Sequence, residues 1–322
     1  MRPVRVLLGV VLTSTLAFSQ DVQLRQEAVR LMEKAEAVST SPHLPNLERT
    51  SAFRVFGTES SVEEGVFTRV VIQGTGRRDE TTFGKYHSVE VWTDNGVAST
   101  ETSELEPPEV RMLRGLTPIW RGHFDHEDVI HAINSQNVNG RSARCIEFDT
   151  IAGQKTDNNE ICVDAANGTL LRGKVGQNLI ENSEFFAFAG ALLPAKISYS
   201  RAGVLQMTIS QSMAELTDAT PNVLAAPAGA QMYQYCKTYR RPFGKLMPQP
   251  KPGTGGTDTD VIVRGIIAED GRIHDAVVQS SDRRDLDQEA LNLIQQWLFT
   301  PALCDGRLNR TEASFTLHFQ GR

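Results

Sequence analysis

The chain has 322 residues, 40% of them hydrophobic and 22% charged. That is enough apolar material for a packed core and too much length for one small module, so two domains are expected. Its formal charge is −6, or −8 once Arg2 and Arg5 are taken off with the leader described next, and without a long lysine or arginine tract a nucleic-acid partner is not expected.

Residues 1–19 place Arg2 and Arg5 ahead of the apolar run Val6 to Phe18, with the small residues Ala17 and Ser19 before a cut at Gln20. This is the pattern of a secretory signal peptide. The run is shorter than the roughly 20 residues that cross a bilayer as a helix. A lipid anchor is disfavoured because no cysteine follows closely, and the expected location is the periplasm. The four cysteines suit such an oxidising compartment. Sequence proximity favours Cys145 with Cys162, leaving Cys236 with Cys304.

From Gln23 to Val38, Leu24, Ala28, Leu31, Met32, Ala35 and Val38 recur at helical spacing and predict an amphipathic helix. Short β-type segments follow at Ala52 to Gly57 and Gly65 to Gly74, then at Ser88 to Trp92 and Val97 to Thr102 around the hairpin signal Asn95-Gly96. Pro107 and Pro108 suit the first turn of a helix over Glu109 to Trp120, which Pro118 bends or ends. A second group of strands is predicted at Ser142 to Thr150, Asn159 to Asp164, Leu170 to Val175, Glu184 to Gly190, Ala195 to Ser200 and Val204 to Leu216. Gly168 supplies the positive φ for the turn after Asp164. Many strands with a few helices describe an α+β fold, a large antiparallel sheet wrapped against helices.

The Ala-, Pro- and Gly-rich stretch Thr217 to Ala230 reads as a connector, and Pro248 to Thr257 as a second extended stretch. Beyond it the pattern is β-β-α-β: a strand at Asp260 to Ala268, a turn, a strand at Arg272 to Ser280, a helix at Leu286 to Leu298 and a strand at Thr311 to Phe319. The expected organisation is thus a signal peptide at 1–19, a β-rich domain at 20–218, a linker and lead-in at 219–257 and a small domain at 258–322.

In that small domain Asp270-Gly271 closes a hairpin, Leu286-Asp287 opens a helix containing Ala290-Leu291, and the helix leads into Trp297-x-Phe299-x-Pro301-Ala302, with Gly306 turning into the last strand. The combination resembles the C-terminal domain of the TonB family over residues 260–319. The same residues have plain physical roles, since Leu291, Ile294, Trp297 and Leu298 form a stripe for Val261, Val263, Ile266 and Val277 to cover. Two departures stand out: the folded domain between leader and tail, and Pro- and Gly-rich sequence where the family has a helical lead-in.

The large domain is similar to the lipoprotein-carrier family, a half-barrel capped by helices. The similarity rests on its N-terminal amphipathic helix, the strand and hairpin from Ser88, the segment Pro107 to Trp120, and Ile161-Cys162-Val163-Asp164 leading through Asn167-Gly168 to Leu170-Leu171-Arg172. That resemblance implies acyl-chain binding on an apolar surface.

The TonB resemblance implies a partner that adds an extended strand to a sheet edge. The last strand offers Glu312, Ser314, Thr316 and His318 outward in alternation, with Ala313, Phe315, Leu317 and Phe319 inward. Self-pairing of that edge would give a homodimer. The cluster His123, Asp125, His126, Glu127, Asp128 and His131 holds potential zinc ligands. It reads better as a helix start with Asp125 as N-cap, because His126 and His131 would fall on different faces of a helix. No nucleophile elbow, metalloprotease motif, phosphate loop or Cys-x-x-Cys is present, so neither an enzyme nor a cofactor is expected. The expected function is a periplasmic adaptor linked to TonB-dependent transport, with a lipid or lipoprotein carrier as the alternative.

Overall fold

The computed structural model describes residues 11–41, 43–57, 61–101, 106–116, 124, 128–149, 159–217, 221–233, 235–251, 253, 258–281 and 283–320. The chain forms two compact units, residues 1–91 with 112–225 and residues 92–111 with 226–322. Sequence therefore enters the second unit twice, and the expected linear division at 218 and 258 does not coincide with this clustering.

In the first unit, α1 (Val11–Ser39) precedes β1 (Leu47–Phe56), β2 (Val62–Ile72), β3 (Gly76–Phe83) and β4 (Tyr86–Thr93). Next in the chain come β5 (Gly96–Glu101), which belongs to the second unit, and α2 (Pro108–Leu116), which runs from the second unit into the first. The first unit continues with β6 (Val129–Val138), β7 (Arg141–Asp149), β8 (Asn159–Asp164), β9 (Leu170–Val175), β10 (Asn178–Phe188), β11 (Ala191–Arg201) and β12 (Val204–Glu215). Among the described residues its strands form one antiparallel sheet in the order β4-β3-β2-β1-β12-β11-β10-β9-β8-β7-β6, which is open because its first and last strands do not pair.

The helix packs by its small and flexible stripe: Ala28, Met32 and Ala35 are buried against Ile146, Phe148, Ile161 and Val163 of β7 and β8. Spacings of four and three residues put those side chains on one face. The corner after Asp164 is built as its residues dictate. The Asp164 carboxylate accepts the Ala166 N–H at 2.8 Å, the Gly168 N–H donates to the Asp164 carbonyl at 2.9 Å, and Gly168 sits at φ +84° with Lys34 of α1 over it.

The sequence reading missed two strands here. β3 carries Asp79 and Thr81 at buried positions, so its interior face lacks the apolar alternation by which half-buried strands are recognised. β6 occupies ground read as a helix start. Residues 125–127 lie outside the described residues, but Val129–Val138 pairs antiparallel with β7. The pair turns through Asn139 and Gly140 at φ 51° and 81°, the positive-φ combination of a two-residue hairpin.

The second unit holds β5 paired with β13 (Gln231–Tyr233), then β14 (Tyr239–Arg240), β15 (Phe243–Leu246), β16 (Thr259–Ile267), β17 (Ile273–Ser281), α3 (Asp287–Ile294), β18 (Leu298–Thr300), β19 (Ala302–Cys304), β20 (Arg307–Asn309) and β21 (Thr311–Phe319). Three strands make its main sheet, ordered β17-β16-β21. One side of that sheet buries Val261, Val263, Leu317 and Phe319 against Leu286, Ala290 and Ile294 of the helical segment, with Trp297 and Phe299 closing the core. The helix is shorter than its periodicity predicts. The Trp297 N–H turns back to the Ile294 carbonyl at 3.0 Å and the Phe299 N–H donates to the Gly271 carbonyl at 2.8 Å, so Trp297 and Leu298 leave the helix and Leu298 opens β18.

Two short strands precede the Pro- and Gly-rich stretch that begins at Pro248. β14 pairs with β19 and β15 with β18. The indole N–H of Trp297 donates to the Pro248 carbonyl at 2.9 Å.

Candidate functional site

Two features carry chemistry: the margin of the small sheet and a cavity in the large one. The residues that define the small sheet converge on one turn. Gly271, at φ +78°, approaches the next hairpin so closely that a Cβ would lie 2.2 Å from the Phe299 carbonyl oxygen. Asp270 fixes the same turn by accepting the Arg272 N–H at 2.8 Å. That amide, and then His274, hold its carboxyl below the usual aspartate range. Leu286, Ala290, Trp297, Phe299 and Ala302 are buried, and Leu291 packs against them. Asp287 opens α3, where an acidic side chain meets the positive helix end. Pro301 separates β18 from β19, and Asp305 and Gly306 turn β19 into β20 with φ of 51° and 80°.

Cys304 is joined to Cys236, and Cys145 to Cys162. The Asp305 carboxylate accepts the Thr238 N–H at 2.7 Å, which adds a polar tie to the first bridge.

β21 pairs along its length with β16 and is the border strand of its sheet. A border strand leaves alternate backbone N–H and C=O groups directed away from its neighbour. Glu312, Ser314, Thr316 and His318 are exposed while Leu317 and Phe319 are buried. Three of the four outward side chains are engaged within the unit. Glu312 pairs with Arg111 and, at 3.1 Å, with Arg264; Ser314 donates to Gln279 at 3.2 Å; His318 lies 2.8 Å from Asp260. Thr316 is the fourth outward side chain.

Arg264 is fully buried on β16. Burial pushes its guanidinium pKa down, and Glu312 opposes that push.

The cavity belongs to the first unit and has a volume of about 590 Å³. Its walls are mostly apolar, with Leu44, Leu47, Ile180, Phe185, Leu193 and Ile197 among them. Among its described lining the charged residues are Arg49 and Arg69. They are direct partners in the β1–β2 register and so project from the same face. Both guanidinium groups lie over the Phe67 ring, at 5.5 and 5.3 Å from its centre. Arg69 also donates to both oxygens of Asp79, at 2.7 and 2.8 Å.

Residues 254–320 match the family described as Gram-negative bacterial TonB protein C-terminal. This segment is similar to the TonB C-terminal domain. No curated protein matches the chain. Among solved structures, the chain is similar to a domain described as a putative outer membrane lipoprotein-sorting protein from Vibrio parahaemolyticus, with 10% identity, a TM-score of 0.39, and coverage of 62% of this chain and 97% of that one. It is also similar to LolA superfamily protein NE2245 from Nitrosomonas europaea, with 13% identity, the same coverage and a TM-score of 0.39. In the Pseudomonas aeruginosa MucA/MucB complex the identity is 15%, the coverage 74% and 87%, and the TM-score 0.31.

Outside the TonB C-terminal-like domain, His123, Asp125, His126 and Glu127 lie outside the described residues. His131 is on β6, its Nε2 2.8 Å from the Asp149 carboxylate. Among the described residues Cys145, Glu160 and Cys162 stand close enough together to hold a metal ion, but both sulfurs are consumed in a disulfide and a thiolate is what a metal requires. Arg49 and Arg69 were missed by the sequence reading. The available signal was the alternation Leu47, Arg49, Ser51, Phe53, every one of them buried.

Proposed function

We propose that the protein is an exported, non-enzymatic cell-envelope adaptor whose TonB C-terminal-like domain captures an extended strand of another envelope protein along β21. The observation that carries this reading is the placement of β21 as a nine-residue border strand paired on one side. Main-chain hydrogen bonds supply affinity in strand addition and side chains add selection, which suits a margin whose side chains are mostly engaged internally. Two disulfides and the Arg2, Arg5 and Val6 to Phe18 leader support a periplasmic location. Among the described residues no helix is long and apolar enough to cross a membrane. A function beside TonB-dependent transport follows from the same domain.

The test is a photo-crosslinking side chain at Thr316 of the full chain in a Gram-negative periplasm. A discrete adduct with an envelope protein is expected, absent when the crosslinker replaces the exposed Val204. An adduct with a second copy of the chain, or none, overturns the adaptor reading. A second reading, a carrier of apolar ligands, is favoured by the cavity in the first unit.

A further inference from the structure

The cavity is built for more than an apolar chain. Its volume of about 590 Å³ falls within the usual range for one small-molecule-sized ligand. Leu44, Leu47, Ile180, Phe185, Leu193 and Ile197 suit the apolar part of such a ligand. Two guanidinium groups share that wall. A pair of like charges directly opposite on neighbouring strands is destabilising, and burial makes the repulsion worse because the local dielectric is low. Arg49 is 7% exposed. Its pKa is pushed down to about 10, first by burial and then by the charge of Arg69, with Asp79 opposing.

Asp79 supplies counter-charge from outside the cavity's lining. Both its oxygens accept hydrogen bonds from Arg69, it is 1% exposed, and it is not among the lining residues. Those hydrogen bonds hold the Arg69 guanidinium in a fixed plane over Phe67. Arg49, on the other side of the same register pair, is likewise over Phe67. The result is a fixed, paired cationic wall at an apolar cavity with no acidic residue among its described lining. Guanidinium groups bind carboxylate and phosphate oxygens through planar, paired hydrogen bonds.

We infer that the cavity binds a single-chain amphiphile with an anionic head, the head lying at Arg49 and Arg69 and the chain along the Leu, Ile and Phe wall. The inference rests on the carrier reading of the first unit and adds to it the class of ligand. An anionic head there adds a charged acceptor for the guanidinium groups of this wall, whereas a neutral or cationic head does not.

The experiment compares four amphiphiles of equal chain length on the delipidated full chain by calorimetry: dodecanoate, dodecyl phosphate, dodecanol and dodecyltrimethylammonium, each below its micelle concentration. At least tenfold tighter binding of the two anions than of the other two is expected, with the gap narrowing as salt rises. In Arg49→Gln the gap should close through weaker binding of the anions while dodecanol binds as before. Carboxylate and phosphate heads differ in charge, so their relative affinities tell which source of anion the wall prefers. Equal binding of dodecanol and dodecanoate overturns the headgroup inference and leaves the carrier reading standing. Binding of none of the four ends the carrier reading and the inference together. Retention of the full gap by a folded Arg49→Gln protein overturns the assignment of the head to this wall.

Discussion

Gly271 shows how one residue type can be required twice over. Its φ of +78° is one that side-chain-bearing residues adopt at a cost, and the space where a Cβ would stand is taken by the Phe299 carbonyl at 2.2 Å. That oxygen is backbone, and its own residue donates its amide to the Gly271 carbonyl at 2.8 Å, so relief by a side-chain rotation is not open. Gly271→Ala is expected to destabilise the second unit by about 2–4 kcal/mol, summing left-handed backbone strain and overpacking. Urea unfolding followed by Trp297 fluorescence measures it, since Trp297 is buried in that core. A loss below about 0.5 kcal/mol, the scale of an ordinary surface change, would show that the hairpin can part from Phe299. By contrast Gly306, also at positive φ, has nothing within 4 Å of its Cβ position, so substitution there meets backbone strain alone.

At the scale of elements, the strands that the sequence revealed are those in which local chemistry and tertiary role agree. β8, β9 and β21 span the residues their alternation and turn residues predict. β3 was hidden because two of its inward positions, Asp79 and Thr81, are polar, and Asp79 is satisfied by an arginine from the neighbouring strand, a partner that no local window contains. Arg49 was hidden for a related reason: the first strand was read from Ala52, so Leu47 to Ser51 were left outside any predicted element, and an arginine is ordinarily a solvent-facing residue. β14 and β15 are short strands held by non-local ties, Cys236 to Cys304 and the Asp305 carboxylate, and neither tie leaves a periodic trace. α3 ran too long in the sequence because the apolar stripe continues to Leu298 while the backbone turns away to meet Gly271. Disulfide pairing was legible, since Cys145 and Cys162 sit directly opposite on β7 and β8, where spacing and strand pairing point to the same bridge. That bridge closes a separation of 17 residues, worth roughly 3 kcal/mol through restriction of the unfolded chain. The double variant Cys145→Ala with Cys162→Ala should lose about that much in denaturant unfolding of the first unit while leaving the second unchanged, since both sulfurs belong to the first. A loss shared by both units would contradict that division.

Across the whole molecule, the second unit is assembled from two stretches of sequence, and this makes the charge buried in its sheet intelligible. Arg264 is a fully buried cation on the central strand, paired with Glu312 at 3.1 Å. Glu312 also engages Arg111, itself 3.8 Å from Glu106. Glu106 and Glu109 act on Arg264 in the favourable direction and Arg111 in the unfavourable one, so a segment more than a hundred residues upstream helps set the electrostatics of this strand. Breaking a buried ion pair from one side leaves an uncompensated charge, whereas replacing both partners with apolar residues is often neutral or stabilising. Excision of the tail at its linear boundary, residues 258–322, removes Glu106 and Glu109, together with Cys236 and the β14 and β15 pairings. That fragment should melt well below a fragment of 226–322, which keeps the disulfide and both short strands, as measured by circular dichroism. Within 226–322, Glu312→Leu alone should destabilise by about 2–3 kcal/mol, less than for a fully enclosed pair because the glutamate is 30% exposed. Arg264→Leu together with Glu312→Leu should recover most of that loss. If the single and double variants melt alike, the Glu312 pairing does not offset the burial of Arg264, and the destabilisation has to come from another consequence of losing the Glu312 side chain.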